Sequence, residues 1–254
     1  MLRQLENLRR YGRIRTNRPT PRTHIPAYLR DRPELEITNM LDFVQAYYGK
    51  SGSDFFFVQI GAFDGVTADP IYDLVCKHGW HGILIEPQIE AFELLKKNYA
   101  GHQGLQFLNL AIGPHDGEIS LYTRGSGMVQ AASIQKHLMN KPGRRGRQTQ
   151  SRTVPCWTFS TLLEKADIPN EIDLVQIDAE GCDYEIIQSI DLVTAKPAMI
   201  HYEHMVLSKA DRNACLALLA SHGYRFLLED SDTLALREPS AIAPTTIANR
   251  RAAA

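Results

Sequence analysis

Long apolar runs are missing from this chain. None approaches the roughly 18 consecutive residues needed to cross a bilayer, so no membrane span is expected. Cysteine is scarce. Cys76, Cys156, Cys182 and Cys215 lie far apart and form no CxxC pair, which argues against a disulfide frame or a zinc ribbon and for reduced thiols. The N-terminal arginines have no apolar h-region behind them, so a secretory signal is not expected and the cytoplasm is the expected compartment. Net charge is small as well, −1 over 254 residues, which disfavours a general polyanion binder. The charge is uneven, however. Residues 1–33 carry nine Lys or Arg against Glu6 and Asp31, and residues 141–152 carry five with no acid. Base-stacking aromatics are also absent among these arginines, apart from Tyr11 and Tyr28. Nucleic-acid binding through the basic arm and loop is therefore a weak alternative.

What is present reads as one large α/β domain with extensions. Four prolines among the arginines make residues 1–36 an arm, and a helix is predicted over 38–48. Strand "FFFVQIG" (55–61) is followed by helix "DPIYDLVCKHG" (69–79), strand "HGILIEP" (81–87) and helix "IEAFELLKKNY" (89–99). A third strand is predicted over "LQFLNLAIG" (105–113) and a short one over "EISLYT" (118–123). Residues 124–152 are polar, Gly-containing and basic, and read as a flexible loop or lid. Its "SGMVQAAS" (126–133) is placed to close over a substrate, with Arg144, Arg145 and Arg147 suited to an anionic acceptor. The pattern resumes with "VPCWTFSTLLEKA", strand "EIDLVQID" (171–178), helix 182–190, strand "PAMIHYEH" (197–204) and helix 209–222. "YRFLLED" and "TLALRE" are joined by a turn near Ser231 and so pair antiparallel. Alternating apolar strands and amphipathic helices give a mostly parallel sheet covered on both faces. The tail over 239–254 reads as disordered.

Ligands of such sheets bind at the carboxyl ends of the strands. The first strand ends in "VQIGAFDGVTAD". Gly61 and Gly65 let the backbone approach a ligand closely, and Thr67 is placed to donate its hydroxyl to a ligand carboxylate. Glu86, at the tip of the second strand, suits the two hydroxyls of a ribose. A dinucleotide loop needs glycine where this chain has Phe63, which disfavours an NAD-dependent oxidoreductase. S-adenosylmethionine has no pyrophosphate and suits the loop better.

The ordered set "VQIGAFDG…ILIEP…NLAIG…DLVQIDAEGCDYEII…HYEH" resembles the FkbM family of S-adenosylmethionine-dependent methyltransferases over roughly residues 55–235. That family pairs a G-A-x-x-G loop with a later I-D-x-E-G-x-E segment. The resemblance implies a Rossmann-like class I methyltransferase fold, with a mostly parallel seven-stranded sheet, its last strand antiparallel, and helices on both faces. The methyltransferase domain would then span 37–238. It also implies that Gly61, Asp64, Gly65 and Glu86 line the cofactor site, with the adenine near Ala111 and Ile112. The chain departs from the family at Gln59, where methyltransferases usually have an acid, and at Asp183 in place of the final Glu. Gln59 can hydrogen-bond the methionine ammonium but not neutralise it, which leaves Asp178 and Asp64 as candidates for that role. Methylation of a hydroxyl, on a sugar, glycolipid or polyketide-type metabolite, is implied by the resemblance alone.

Transfer to a hydroxyl calls for a general base or for a divalent metal that lowers the hydroxyl's pKa. Asp178 ends the fourth strand of the alternation and is the strongest candidate for the reacting centre, with Glu180 as a possible helper. Glu203 and His204 end the next strand. Asp178, Glu203 and His204 together are a candidate set for Mg or a transition metal, and His204 alone is a candidate base. His201 competes with it, since alternation puts His201 and Glu203 on one face and His204 on the other. Asp183 and Glu185 read as first-turn acids that favour the helix dipole. A small-molecule hydroxyl acceptor is the expected partner, and a homo-oligomer is compatible with the composition.

Overall fold

The computed structural model describes residues 54–124, 132–136, 149–169, 171–228 and 231–237. The predicted arm, the helix over 38–48, the three loop arginines and the tail lie outside them. Seven strands form the main sheet: β1 (Phe56–Ile60), β2 (His81–Ile85), β3 (Leu105–Leu108), β8 (Leu174–Ile177), β9 (Met199–Glu203), β10 (Tyr224–Leu228) and β11 (Asp232–Arg237). Their order is β10-β11-β9-β8-β1-β2-β3. β11 runs antiparallel to both neighbours, while β9, β8, β1, β2 and β3 pair in parallel. This is the expected sheet.

β1 and β8 sit at its centre and are buried on both faces, as strands covered by helices must be. Val58, Ile60, Ile83, Val175, Ile177 and Ile200 face one way and pack with Leu162, Ile186 and Leu219. These three belong to α3 (Phe159–Lys165), α4 (Asp183–Ser189) and α5 (Lys209–Ser221). Phe57, Leu84, Leu174 and Met199 face the other way, towards Val75 of α1 (Tyr72–His78) and Phe92 and Leu95 of α2 (Ile89–Asn98). Each such buried side chain contributes about 1.5–3 kcal/mol relative to exposure. Caps set the helix starts. Asp69 accepts the Ile71 and Tyr72 N–H groups at 2.7 and 3.0 Å, Thr158 accepts that of Thr161, and Ser208 that of Asp211. α1 stops at Gly79, in the left-handed region with φ 64°.

A second sheet was not expected. Its four strands, β4 (Ala111–Ile112), β5 (Gly117–Arg124), β6 (Ala132–Ser133) and β7 (Thr149–Trp157), lie in the order β4-β7-β5-β6. Two corrections follow. The single strand predicted over 105–113 is broken, because the chain leaves the main sheet after Leu108 and joins the small one at Ala111. At the break the Asn109 amide donates to the carbonyls of Glu86 and Pro87, at 2.8 and 3.2 Å. Residues 149–152 of the predicted loop are strand, paired antiparallel with β5. Leu121, Val154 and Cys156 form the small sheet's core with Ala111. Arg152 clasps the sheet to α2 through two 2.7 Å hydrogen bonds to Glu90. Among the described residues no helix is long and apolar enough to cross a membrane.

Candidate active site

The carboxyl ends of β1, β2, β8 and β9 border a cavity of about 340 Å³. That size falls in the roughly 300–1,000 Å³ range of small-molecule sites. The cavity is lined by Gly61, Phe63, Thr67, Glu86, Ala111 and Ile112. Asp178, Glu180 and Glu203 line it as well. Gln59, Asp64, Gly65, His201 and His204 are not among the lining residues.

The loop after β1 is shaped by close contacts. Gly61 has φ 81°, and a Cβ there would lie 1.9 Å from the carbonyl oxygen of Asp178. Only glycine lets the loop lie directly on the turn after β8. Gly65, with φ 72°, likewise has Leu95 Cδ1 2.5 Å from where a Cβ would be. Phe63, Ala68 and Glu180 have φ of 49°, 58° and 50°, and all three line the cavity. Such conformations are strained for residues with a Cβ and gather at functional sites. Asp64 organises the loop, accepting the Val66 and Thr67 N–H groups and the Thr67 hydroxyl at 3.0, 2.7 and 2.6 Å. Burial pushes Asp64 up, but the Thr67 hydroxyl and these N–H groups outweigh it and hold the carboxyl below its usual value. The Thr67 hydroxyl hydrogen is therefore committed to Asp64, not offered to a ligand carboxylate.

Glu86 is buried at the tip of β2. Its Oε2 accepts the Phe63 N–H at 2.9 Å and its Oε1 the Gln88 N–H at 2.7 Å. Burial pushes its pKa up to about 7 against these hydrogen bonds. Each oxygen keeps acceptor capacity for a ribose hydroxyl. Ala111 and Ile112 line the cavity together with Leu121, Ala132 and Ile134, which makes this part an apolar slot. An acidic ribose site next to an apolar slot suits the nucleoside end of S-adenosylmethionine.

Asp178 extends the β8–β1 pairing through its N–H, which donates to the Ile60 carbonyl at 3.0 Å. Its side chain keeps accessible area within the cavity, yet enough protein surrounds it for desolvation to raise its pKa. The carboxylate has no hydrogen-bond partner among the described residues. Asp183 is fully buried instead. Its Oδ1 accepts the Glu203 N–H at 3.2 Å and its Oδ2 the Gly181 N–H at 3.3 Å. Burial, then the charges of Asp178 and Glu203, push its pKa well up. A helix dipole does not account for a buried acid among acids. Asp183 ties the turn after β8 to the tip of β9. Glu185 accepts from the side chain of Gln135 and fastens the chain just after β6 to α4.

The histidines do not reach this centre. His204 is half-buried and turns its Nδ1 to the Thr233 hydroxyl at 3.0 Å. His201 is buried, donates Nδ1–H to Gln176 Oε1 at 2.6 Å, and is held down to about pKa 4, chiefly by burial. The trio Asp178, Glu203 and His204 is corrected as a metal site. No group of three or more His, Cys, Asp or Glu among the described residues is arranged to hold an ion, because His204 points into β11.

Over residues 59–226 the sequence matches the methyltransferase FkbM domain. The chain belongs to this family. Membership implies S-adenosylmethionine as cofactor, and the ribose acid, apolar slot and strand-tip carboxylate described above fit it. No curated protein matches the sequence. Among solved structures, the FkbM methyltransferase of Methylobacillus flagellatus KT is similar at 11% identity and TM-score 0.46, over 76% of this chain and 47% of that one. This chain thus spans about half its length. The ribosomal protein L11 methylase of Lactobacillus delbrueckii subsp. bulgaricus gives 11% identity and TM-score 0.41, over 78% and 77%. The N-terminal domain of human METTL16 gives 13% and 0.43, over 78% and 67%. At these identities the likeness concerns the fold alone.

Several contributors were not read from the sequence. Leu121, Ile134, Ser231 and Asp232 line the cavity, and so does Ala132, which the predicted lid includes. The alternation in "EISLYT" marks Leu121 as an inward residue but does not say what it faces. Asp69 carried a signal as well, since an Asp-Pro pair ahead of a helix is a capping pattern.

Proposed function

We propose that this methyltransferase transfers a methyl group to a hydroxyl of a small-molecule acceptor, a sugar, glycolipid or polyketide-type metabolite, with Asp178 as general base. The observation that carries this reading is the Asp178 carboxylate, which faces the cavity with no hydrogen-bond partner among the described residues. S-adenosylmethionine, bound against Glu86 and the apolar slot, supplies a methyl group on a sulfonium. A hydroxyl acceptor receiving that methyl group would release its proton, which Asp178 is placed to take. Burial raises the pKa of Asp178, which makes it a stronger base than an ordinary carboxylate. Glu180 and Glu203 border the acceptor's side of the cavity, and Asp183 holds the backbone that carries them. Activation by a carboxylate base is favoured over the metal-held alternative, because His204, one of the three predicted ligands, turns to Thr233 and does not line the cavity.

The test is to incubate the protein with a metabolite extract and isotopically labelled S-adenosylmethionine, then find labelled products by mass spectrometry. A label carried as an O-methyl group supports the proposal. Label on nitrogen or carbon would contradict it.

A further inference from the structure

Asp183 opens α4 and is fully buried, at 0% exposure. Around it stand Asp178 on the turn after β8, Tyr202 and Glu203 of β9, Cys215 of α5 and its own neighbour Cys182. None of these carries a positive charge. An ionised carboxylate is costly to bury without a cation, and such a group takes up a proton instead. Bond lengths point the same way. Asp64, Asp116 and Asp191 are held below the usual carboxylate value, and they accept backbone N–H groups at 2.7–3.1 Å. Asp183 accepts its two at 3.2 and 3.3 Å, longer than any of these. Hydrogen bonds lengthen when the acceptor loses its charge. The two donors belong to Glu203, which lines the cavity, and to Gly181, which follows the lining residue Glu180.

We infer that Asp183 carries a proton at neutral pH and acts as a positioning residue, a neutral acid that ties the turn after Asp178 to the tip of β9 without adding a third negative charge beside Asp178 and Glu203. Its purpose rests on the general-base reading of Asp178, while its protonation does not. An ionised Asp183 would oppose ionisation of Asp178, because like charges at close range push a proton back on. With a proton held on Asp183, Asp178 is left to ionise and to take the acceptor's proton. The residue type follows from the two N–H groups it must satisfy. A neutral carboxyl keeps two acceptor oxygens, an amide has one, and an aliphatic side chain has none.

Infrared spectroscopy tests the protonation with no need to know the acceptor. Protein carrying carboxyl-labelled aspartate should show, at neutral pH, a protonated-acid carbonyl band that the label shifts and that Asp183→Asn removes. Glu86, whose pKa of about 7 lets it hold a proton too, is unlabelled and cancels in the difference. Where the amide fails to fold, Asp183→Glu keeps a carboxyl in place, and the band should move from the labelled to the unlabelled position. The pH profile of methyl transfer is the second readout. Asp183→Asn is as neutral as the acid it replaces, so the acidic limb should stay within about 0.3 unit, while kcat falls a few-fold because one N–H loses its acceptor. A merely structural brace would leave no such band to remove. Absence of the labelled band in wild type, or its survival in both variants, would overturn the inference. So would an acidic limb lowered by about one unit or more in Asp183→Asn, the mark of a removed like charge. Full transfer activity in Asp178→Asn would instead overturn the base reading and leave the infrared result standing.

Discussion

The two sheets contribute to one cavity in different ways. Among the described residues, the carboxylates that line it, Glu86, Asp178, Glu180, Glu203 and Asp232, all come from strands of the seven-stranded sheet or the turns that follow them. The small sheet brings Ala111, Ile112, Leu121 and Ala132, which are apolar. The difference has a physical origin. Parallel strands all end at the same edge, so their tips and following turns gather polar groups at one place. Antiparallel strands return to both edges, and what they offer a neighbour is a face. The main sheet holds the chemistry, and the small sheet shapes the space.

The largest expected effect follows from removing the base. Asp178→Asn should lower methyl transfer about 10²–10⁴-fold, the usual contribution of a general base, with S-adenosylmethionine affinity changed only a few-fold. A labelled-transfer assay and calorimetry on the same variant check both halves. The pH profile should agree. Asp178 must be ionised to act, so transfer should rise with pH through a value above that of an ordinary aspartate. Gly61→Ala comes next. With a Cβ 1.9 Å from the Asp178 carbonyl and a positive φ, the loop or the turn must move. A loss of about 3 kcal/mol or more is expected by urea denaturation, together with loss of cofactor binding.

Glu86 offers a test with a sign. Its folded pKa of about 7 lies above its unfolded value, so its contribution favours folding at low pH. That contribution is full below about pH 4.5 and fades as pH rises through 7. The ligand-free wild type should lose up to about 3 kcal/mol from this group across that window, and Glu86→Gln should flatten that part of the profile. Denaturation at pH 5 and pH 8 measures it. In the small sheet, Leu121→Ala should cost about 2–3 kcal/mol through the cavity it leaves in the core. It should weaken cofactor binding without moving the pH profile of transfer, because no titrating group is touched. The smallest effect belongs to the clasp. The Arg152–Glu90 pair is half-exposed, so Arg152→Ala should cost about 0–1 kcal/mol, less in high salt. A shifted pH profile in either small-sheet variant would break the division of labour between the sheets.

The same division governs what was legible in the sequence. β1, β2 and β8 are short apolar runs ending in glycine or an acid, so local pattern finds both the strands and the tips. Gly61, Glu86 and Asp178 follow from that logic. The small sheet depends on pairing β5 with β7 across residues 125–148, and no local period announces such a contact. Thr149 to Arg152 are polar and exposed or half-buried, and read as loop until Leu121 and Tyr122 are seen opposite. Orientation was the other difficulty. Alternation predicted faces for His201 and His204, but not that Gln176 and Thr233 would engage them. Asp183 carried a plausible local explanation as a first-turn acid. Its burial depends on β9, 20 residues away, whose Glu203 N–H it accepts.

Titration calorimetry with S-adenosylmethionine, using wild type and Glu86→Ala with NAD as the competing ligand, tests the central claim most directly. Wild type should bind S-adenosylmethionine and not NAD, and Glu86→Ala should bind it at least about tenfold more weakly, as expected for two lost hydrogen bonds to ribose. Absence of S-adenosylmethionine binding, equal affinity in the variant, or preference for NAD would contradict the assignment of the cavity.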